Sequence, residues 1–311
     1  MKRAIITGAT GMLGMALIYK LLQEDMEITV IVRPNSSRNN RIPNDNRIRT
    51  IECDLSDLVK IENKFENEKQ DMFYHLAWGS TYGASRNDMN AQINNIQGTV
   101  NAVELAHKLG CKVFVGVGSQ AEYGRVDGKI SPNTITKPEN GYGMAKLCAC
   151  SMSKVMCDKY NIRYVWMRVL SAYGPFGGQE TMVISGIRKM LSGQTPQYTK
   201  AEQEWDYIYS SDVAVALWLV GNKENASGIY CLGSGNVRKL SEYIKDIRDV
   251  VAPKTEIEFG AIPYYENQVM FLCADITKLK RDVGFCPVVD FKDGIEKTAK
   301  WVQEEMSNEK N

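Results

Sequence analysis

Tyr142 and Lys146, in the run Gly141-Tyr142-Gly143-Met144-Ala145-Lys146, are the residues of this chain whose types and spacing best suit chemistry. Four positions apart on a helix, a phenol and an ammonium project from one face. A cation held beside a phenol favours the phenolate and lowers its pKa, which makes the tyrosine usable as an acid/base near neutrality. The pair alone is a weak signal, because both residues are common on helices. Two further features strengthen it: Ser119 lies upstream, and a glycine-rich turn opens the sequence.

Arg3-Ala4-Ile5-Ile6 is a short apolar run of the kind that forms a buried strand. It leads directly into Thr7-Gly8-Ala9-Thr10-Gly11-Met12-Leu13-Gly14, and a helical pattern follows from Met15 to Leu22. Glycines at these spacings allow a tight turn, close approach of a pyrophosphate to backbone N–H groups, and close packing of helix on strand. The positive end of the helix dipole then faces the phosphates. Gly8, Thr10, Gly11, Met12, Leu13 and Gly14 are therefore expected to bind a dinucleotide.

The spacing is Gly-x-x-Gly-x-x-Gly. Taken with Ser119 and Tyr142-x-x-x-Lys146, it resembles the extended short-chain dehydrogenase/reductase superfamily, and within it the nucleotide-sugar epimerase, dehydratase and 4-ketoreductase branch. The likeness runs over nearly the whole chain. Cys53-Asp54-Leu55 is similar to the family's adenine-contacting segment, so Asp54 and Leu55 are expected at the cofactor. His75-Leu76-Ala77-Trp78 is similar to the strand end along the cofactor, which implies Leu76, Ala77 and Trp78. Gly118-Ser119-Gln120-Ala121-Glu122-Tyr123-Gly124 resembles the catalytic serine segment. Arg168 to Pro175 resembles the segment beside the nicotinamide, and Trp205-Asp206-Tyr207-Ile208-Tyr209 with Asp212 the return from the substrate domain. The resemblance implies that Ser119 binds the reacting sugar oxygen, Tyr142 exchanges its proton, and Lys146 binds the nicotinamide ribose and depresses the Tyr142 pKa.

The elements that must position these groups follow from apolar periodicity. Ile28–Val32, Ile48–Glu52, Met72–Leu76, Val113–Val117 and Tyr164–Arg168 read as strands, with long helices over Asn90–Leu109 and Tyr142–Tyr160. Strand–helix alternation predicts an α/β fold with a Rossmann-type, doubly wound parallel sheet. The family adds a smaller C-terminal substrate-binding α/β lid. The expected division is 1–170 for the dinucleotide domain, with a return near 207–230, and 171–206 with 231–311 for the substrate domain. The two long helices resemble those that pair across a homodimer.

At 311 residues and 44% hydrophobic the chain can bury a large core, and a net charge of +1 implies no polyanion partner, so nucleic acid is not expected. No signal peptide or membrane-spanning run is read in the sequence. Eight scattered cysteines, including Cys148-x-Cys150, form no paired framework, and His75 and His107 are far apart. No metal site is expected, and the composition reads as reducing and cytoplasmic.

The second strand ends Val32-Arg33-Pro34-Asn35-Ser36-Ser37-Arg38 without an acid at its tip. Arg33, Ser36 and Arg38 could hold a 2′-phosphate, which favours NADP(H), with NAD(H) the alternative. The family's dehydratases place Asp-Glu straight after the catalytic Ser/Thr. Gln120-Ala121 stands there instead and disfavours dehydration. Ser119-Gln120, Trp205-Asp206-Tyr207 and Asn267-Gln268-Val269-Met270 look like the reductases of nucleotide-linked 4-keto-6-deoxyhexoses. The alternative is a nucleotide-sugar 4-epimerase with tightly bound NAD, and a remote third reading is a non-catalytic dinucleotide sensor. Trp78, Gln120, Tyr123, Phe176 and Gln179 are expected near the sugar of a nucleotide-diphosphate sugar, with Trp205, Arg238 and Gln268 nearer its nucleotide.

Overall fold

Short runs of β-branched and aromatic residues pair into one parallel sheet in the computed structural model, which describes residues 2–65 and 68–309. Its first six strands are β1 (Arg3–Thr7), β2 (Glu27–Val32), β3 (Ile48–Glu52), β4 (Met72–His75), β5 (Val113–Ser119) and β6 (Arg163–Val169). Helices α1 (Met12–Gln23), α2 (Met89–Lys108) and α3 (Gly141–Lys159) lie between them. The chain continues through β7 (Ser171–Tyr173), α4 (Met182–Leu191), β8 (Gln197–Tyr198), β9 (Glu204–Trp205), β10 (Tyr207–Tyr209) and α5 (Ser210–Asn222). It then forms β11 (Gly228–Leu232), β12 (Arg238–Lys239), α6 (Leu240–Val251), β13 (Glu258–Phe259), β14 (Phe271–Leu272), α7 (Thr277–Val283) and α8 (Phe291–Asn308).

The sheet order is β11-β6-β5-β4-β1-β2-β3. Strand order reverses between β1 and β4, and the crevice above the carboxyl ends at such a point is where ligands bind in open α/β sheets. Side-chain alternation divides the core: Ala4 and Ile6 pack on one face with Leu17, Ile18 and Leu217, while Ile5 packs on the other with Phe73, Leu105 and Trp166. Covering both faces explains why the strands are continuous apolar runs. Each large apolar side chain removed from water contributes about 1.5–3 kcal/mol.

The remaining elements form smaller sheets, β12-β9-β14, β13-β8 and β10-β7, against α4, α6 and α8. Their core contains Tyr173, Ile187, Tyr243, Ile247, Phe291 and Ile295. Buried polar groups tie these elements and α5 to the large sheet. Asp206, fully buried, accepts from Ser234 N and Oγ (both 2.7 Å), Gly235 N (3.0 Å) and Ala274 N (3.0 Å). Arg163 donates to Val220 O and Ala226 O (both 2.7 Å) and Gly221 O (2.6 Å), capping the carboxyl end of α5 where a cation suits the helix dipole. Leu279, Val283 and Phe285 fall in the stretch expected to belong to the substrate half, yet they pack in the same core as Ile6 and Leu217.

Candidate active site

The glycine turn sits directly on the end of β4. Gly8 has φ +74°, and a Cβ there would fall 2.6 Å from Ala77 N, so only glycine fits. Gly14 packs equally closely on the Gly8 carbonyl, whereas a Cβ on Gly11, over the start of α1, would meet the Gly8 carbonyl only at an ordinary 3.6 Å. No side chain caps that helix end. Uncapped N–H groups beneath an open glycine suit a pyrophosphate, so the residues present fit a dinucleotide. Thr10 lends its carbonyl to Arg41 (3.2 Å).

His75 fastens the turn from below. Thr99 Oγ1 donates to Asn95 O (3.0 Å), so His75 Nε2–H donates to Thr99 (3.1 Å) and Nδ1 accepts from Thr7 Oγ1 (2.8 Å). Burial pushes the His75 pKa down to about 3, and the ring works as a neutral brace. Leu55 is held on α2, where its carbonyl accepts from Asn101 Nδ2 (2.9 Å), and Asp54 Oδ1 accepts from Ser56 N (3.0 Å). Arg33 and Arg38 are exposed beyond β2, and Ser36 is half-buried.

Ser119 ends β5, and the turn after it is a capping box: Ser119 Oγ accepts from Ala121 N (3.2 Å) while a Glu122 oxygen accepts from Ser119 N (2.9 Å). A Cβ on Gly143 would lie 2.2 Å from Ala121 O, so glycine there lets α3 close on this turn. Asn140 Oδ1 caps α3 at Gly143 N, and Asn87 Oδ1 accepts from Gly141 N (both 2.9 Å). Tyr142 is thereby brought to Ser119. Burial raises its pKa, while hydrogen bonding from Ser119 and the Arg86 guanidinium pull it back down.

Lys146 donates its ammonium to Val117 O (2.6 Å) and lies 3.7 Å from the Trp78 ring centre. Burial lowers its pKa to about 7, against a raising effect of Glu122. The cation over Tyr142 is Arg86, 4.8 Å from the ring centre, and its buried Nε has no partner among the described residues. Arg86 and Tyr82, from the loop after β4, were missed in the sequence. The available signal was an arginine in a loop leaving the carboxyl end of a central strand. Trp78 meets the Tyr142 ring edge-on at 6.2 Å and donates its N–H to Gln92 Oε1 (3.0 Å).

The other expected substrate residues separate. Tyr123 is a correction: it is fully buried, with its hydroxyl 3.2 Å from Cys231 Sγ, because the turn at 120–122 rotates the chain inward. Gln120 is half-buried beside Ser119. Phe176 stacks on Trp301 (5.4 Å) and Arg41 (5.3 Å), on the glycine-turn side. Gln179 is exposed. Trp205 donates to Ser171 Oγ (2.8 Å), and Gln268 is half-buried. Arg238, expected near the nucleotide, is occupied by Asp246 (2.8 Å) and Glu242 (3.4 Å). Gly178 faces Tyr82, whose ring would lie 3.1 Å from a Cβ there, so the loop after β4 touches the loop after β7. A separate cleft of about 800 Å³ lies between α3, β11 and α7, and shares none of the residues around Ser119. Among the described residues no cluster of metal-ligating side chains occurs, and no helix is long and apolar enough to cross a membrane.

A family model described as the NAD dependent epimerase/dehydratase family matches residues 4–233. A dTDP-glucose 4,6-dehydratase of Salmonella typhimurium is 24% identical, over 96% of this chain and 92% of that one. Among solved structures, UDP-glucose 4-epimerase of Thermotoga maritima with UDP-glucose superimposes with a TM-score of 0.86 at 22% identity, covering 98% of this chain and 99% of that one. UDP-glucose 4-epimerase of Thermus thermophilus in complex with NAD gives 0.85 at 21% identity, covering 97% and 99%.

Proposed function

Because the chain belongs to the NAD-dependent epimerase/dehydratase family, we propose that it is an oxidoreductase of nucleotide-linked sugars that reduces the C4 keto group of a nucleotide-diphosphate 4-keto-6-deoxyhexose. The observation that carries the reading is the acid/base inventory around Ser119 and Tyr142. A dehydratase needs further groups to eliminate water, but Gln120 and Ala121 follow Ser119, and Glu122 is fully buried and committed to Arg168 (2.6 Å). One proton donor beside one orienting hydroxyl suits hydride transfer at a ketone or carbinol.

A nicotinamide dinucleotide held over the glycine turn supplies the hydride. Ser119 holds the sugar oxygen, and Tyr142 passes its proton to that oxygen. Lys146, within the same face of α3, holds the cofactor ribose, while Trp78 closes the space between Lys146 and Tyr142. The neighbours' NAD complexes favour NAD. Exposed Arg33 and Arg38 at the β2 tip favour the 2′-phosphate of NADP, so both cofactors enter the test.

The second reading is a 4-epimerase that retains NAD, favoured by the epimerase structures. The purified protein is offered NADPH or NADH with CDP-, dTDP-, GDP- and UDP-linked 4-keto-6-deoxyhexoses. Stoichiometric oxidation with one of them supports the reductase. No consumption, with NAD released on denaturation and UDP-sugars interconverting at C4, replaces it by the epimerase. Tyr142→Phe is expected to lose about 10²–10⁴-fold in turnover while still binding cofactor, and an unchanged rate would remove both readings.

We also propose a homodimer built on α2 and α3. Met144, Met152 and Val155 leave an exposed apolar row on α3, and Met89 and Ile93 do so on α2. A light-scattering mass equal to one chain would refute it.

A further inference from the structure

Glu122 has not been used by the chemistry so far. Its side chain is fully excluded from solvent, and every oxygen is engaged. Oε1 accepts from Ser119 N (2.9 Å) and from Trp166 Nε1 (3.0 Å), and Oε2 accepts from Arg168 Nε (2.6 Å). Arg168 is itself only 2% exposed and lies over the Tyr123 ring at 4.4 Å. Strand register explains the fit. Gly116 pairs with Trp166, Gly118 with Arg168 and Ser119 with Val169, so β6 presents an indole and a guanidinium beneath the end of β5. A Cβ on Gly118 would fall 2.3 Å from Glu122 Oε1 and 2.2 Å from Trp166 Nε1. Gly118 therefore leaves the room into which the carboxylate turns.

A buried ion pair is expensive, and an apolar pair of similar volume often holds a core as well. Arg168 alone would account for one oxygen of Glu122. The other oxygen is spent on the backbone of Ser119, at the point where the chain leaves the strand and enters the turn that faces Tyr142. We propose that Glu122 is a positioning residue for the reaction: its carboxylate, anchored by Trp166 and Arg168, fixes Ser119 against Tyr142. The inference rests on reading Ser119 and Tyr142 as the reacting pair. Titratable or charged groups around the carboxylate are Tyr142, Lys146 and Cys150 on α3, Tyr164 and Arg168 on β6, Tyr123 after the turn, and Cys231 on β11. Of the cations in that set, Arg168 is neutralised by direct contact.

The test is a double-mutant cycle on turnover of the keto-sugar substrate that the assay above identifies. Glu122→Gln/Arg168→Gln removes both charges together and leaves no unpaired guanidinium in the core. The expected result is a fall in kcat of about tenfold or more, since a small misplacement of a reacting group is costly, with the cofactor Kd within about twofold of the parent. Ser119→Ala is expected to cost much less in this background than in the parent. Should the double variant not fold, Glu122→Asp keeps the charge but withdraws it from Ser119, and the same fall in kcat is expected. A kcat within twofold of the parent, or losses at 119 and 122 that add fully, would overturn the inference. If Ser119→Ala and Tyr142→Phe are themselves as active as the parent, the reading of the site fails instead, so the two failures are told apart.

Discussion

At the scale of single residues, the electrostatics of the site depart from the pattern that Tyr142 and Lys146 suggest by spacing alone. The phenol is influenced by Arg86, and the ammonium rests on Val117 O and the Trp78 face. Arg86→Gln removes a group that lowers the Tyr142 pKa, so that pKa rises. In the alcohol-oxidising direction the phenolate accepts the proton, and the rising limb of the pH–rate profile is expected to move to higher pH. An unmoved limb with a raised KM for the sugar would make Arg86 a substrate contact only. Lys146 offers a stability test. Below about pH 7 the folded protein carries a charged, buried amine, while between about 7 and the ordinary 10.5 only the unfolded chain holds that proton. The unfolded state then binds more protons, so stability rises with pH across this window. Lys146→Met is expected to be most favourable relative to the parent at pH 6 and to lose that advantage by pH 9.5, read from urea midpoints. A pH-independent difference would show that the ammonium is not buried in this way.

At the scale of elements, close approaches set the geometry. Gly8→Ala adds a Cβ 2.6 Å from the Ala77 nitrogen in a left-handed backbone conformation, and β4 cannot retreat from the centre of the sheet. The strain is expected to cost about 1–3 kcal/mol in urea unfolding and to abolish measurable dinucleotide binding by calorimetry. Parent-like affinity would place the dinucleotide elsewhere. These elements were legible in the sequence because strand and helix periodicity is local: each of the strands β2 to β6 lies within two residues of its expected limits, and α3 begins one residue before Tyr142. Tyr123 was expected at the sugar and lies in the core because a three-residue turn redirects its side chain without altering any periodicity, while Phe176, left-handed at φ +64°, turns toward Trp301 and Arg41. Arg86 and Arg41 belong to short 3₁₀ segments, Gly83–Asn87 and Ser37–Arg41, whose positions are fixed by contacts remote in the chain.

At the scale of the whole molecule, Asp206 joins the substrate elements to the segments at Ser234 and Ala274. Asp206→Ala strands three backbone N–H groups and a hydroxyl that it now satisfies. A loss of at least about 3 kcal/mol is expected, since bonds to a charged acceptor are worth about 1.5–3 kcal/mol each, and a change under 1 kcal/mol in chemical unfolding would contradict it. The route of the chain has a consequence for transplanting specificity among relatives. Strand β11 and helix α5 come from beyond β7 and α4, yet β11 forms the outer rail of the large sheet and α5 covers one of its faces. The portion outside the large sheet is thus interrupted by 207–232, and again where Leu279, Val283 and Phe285 return to the core of the large sheet. A chimera spliced once, after residue 170, would import a foreign β11 and α5 against a resident β6. One that keeps both 207–232 and 277–285 resident leaves that seam intact and exchanges only the smaller sheets and their helices.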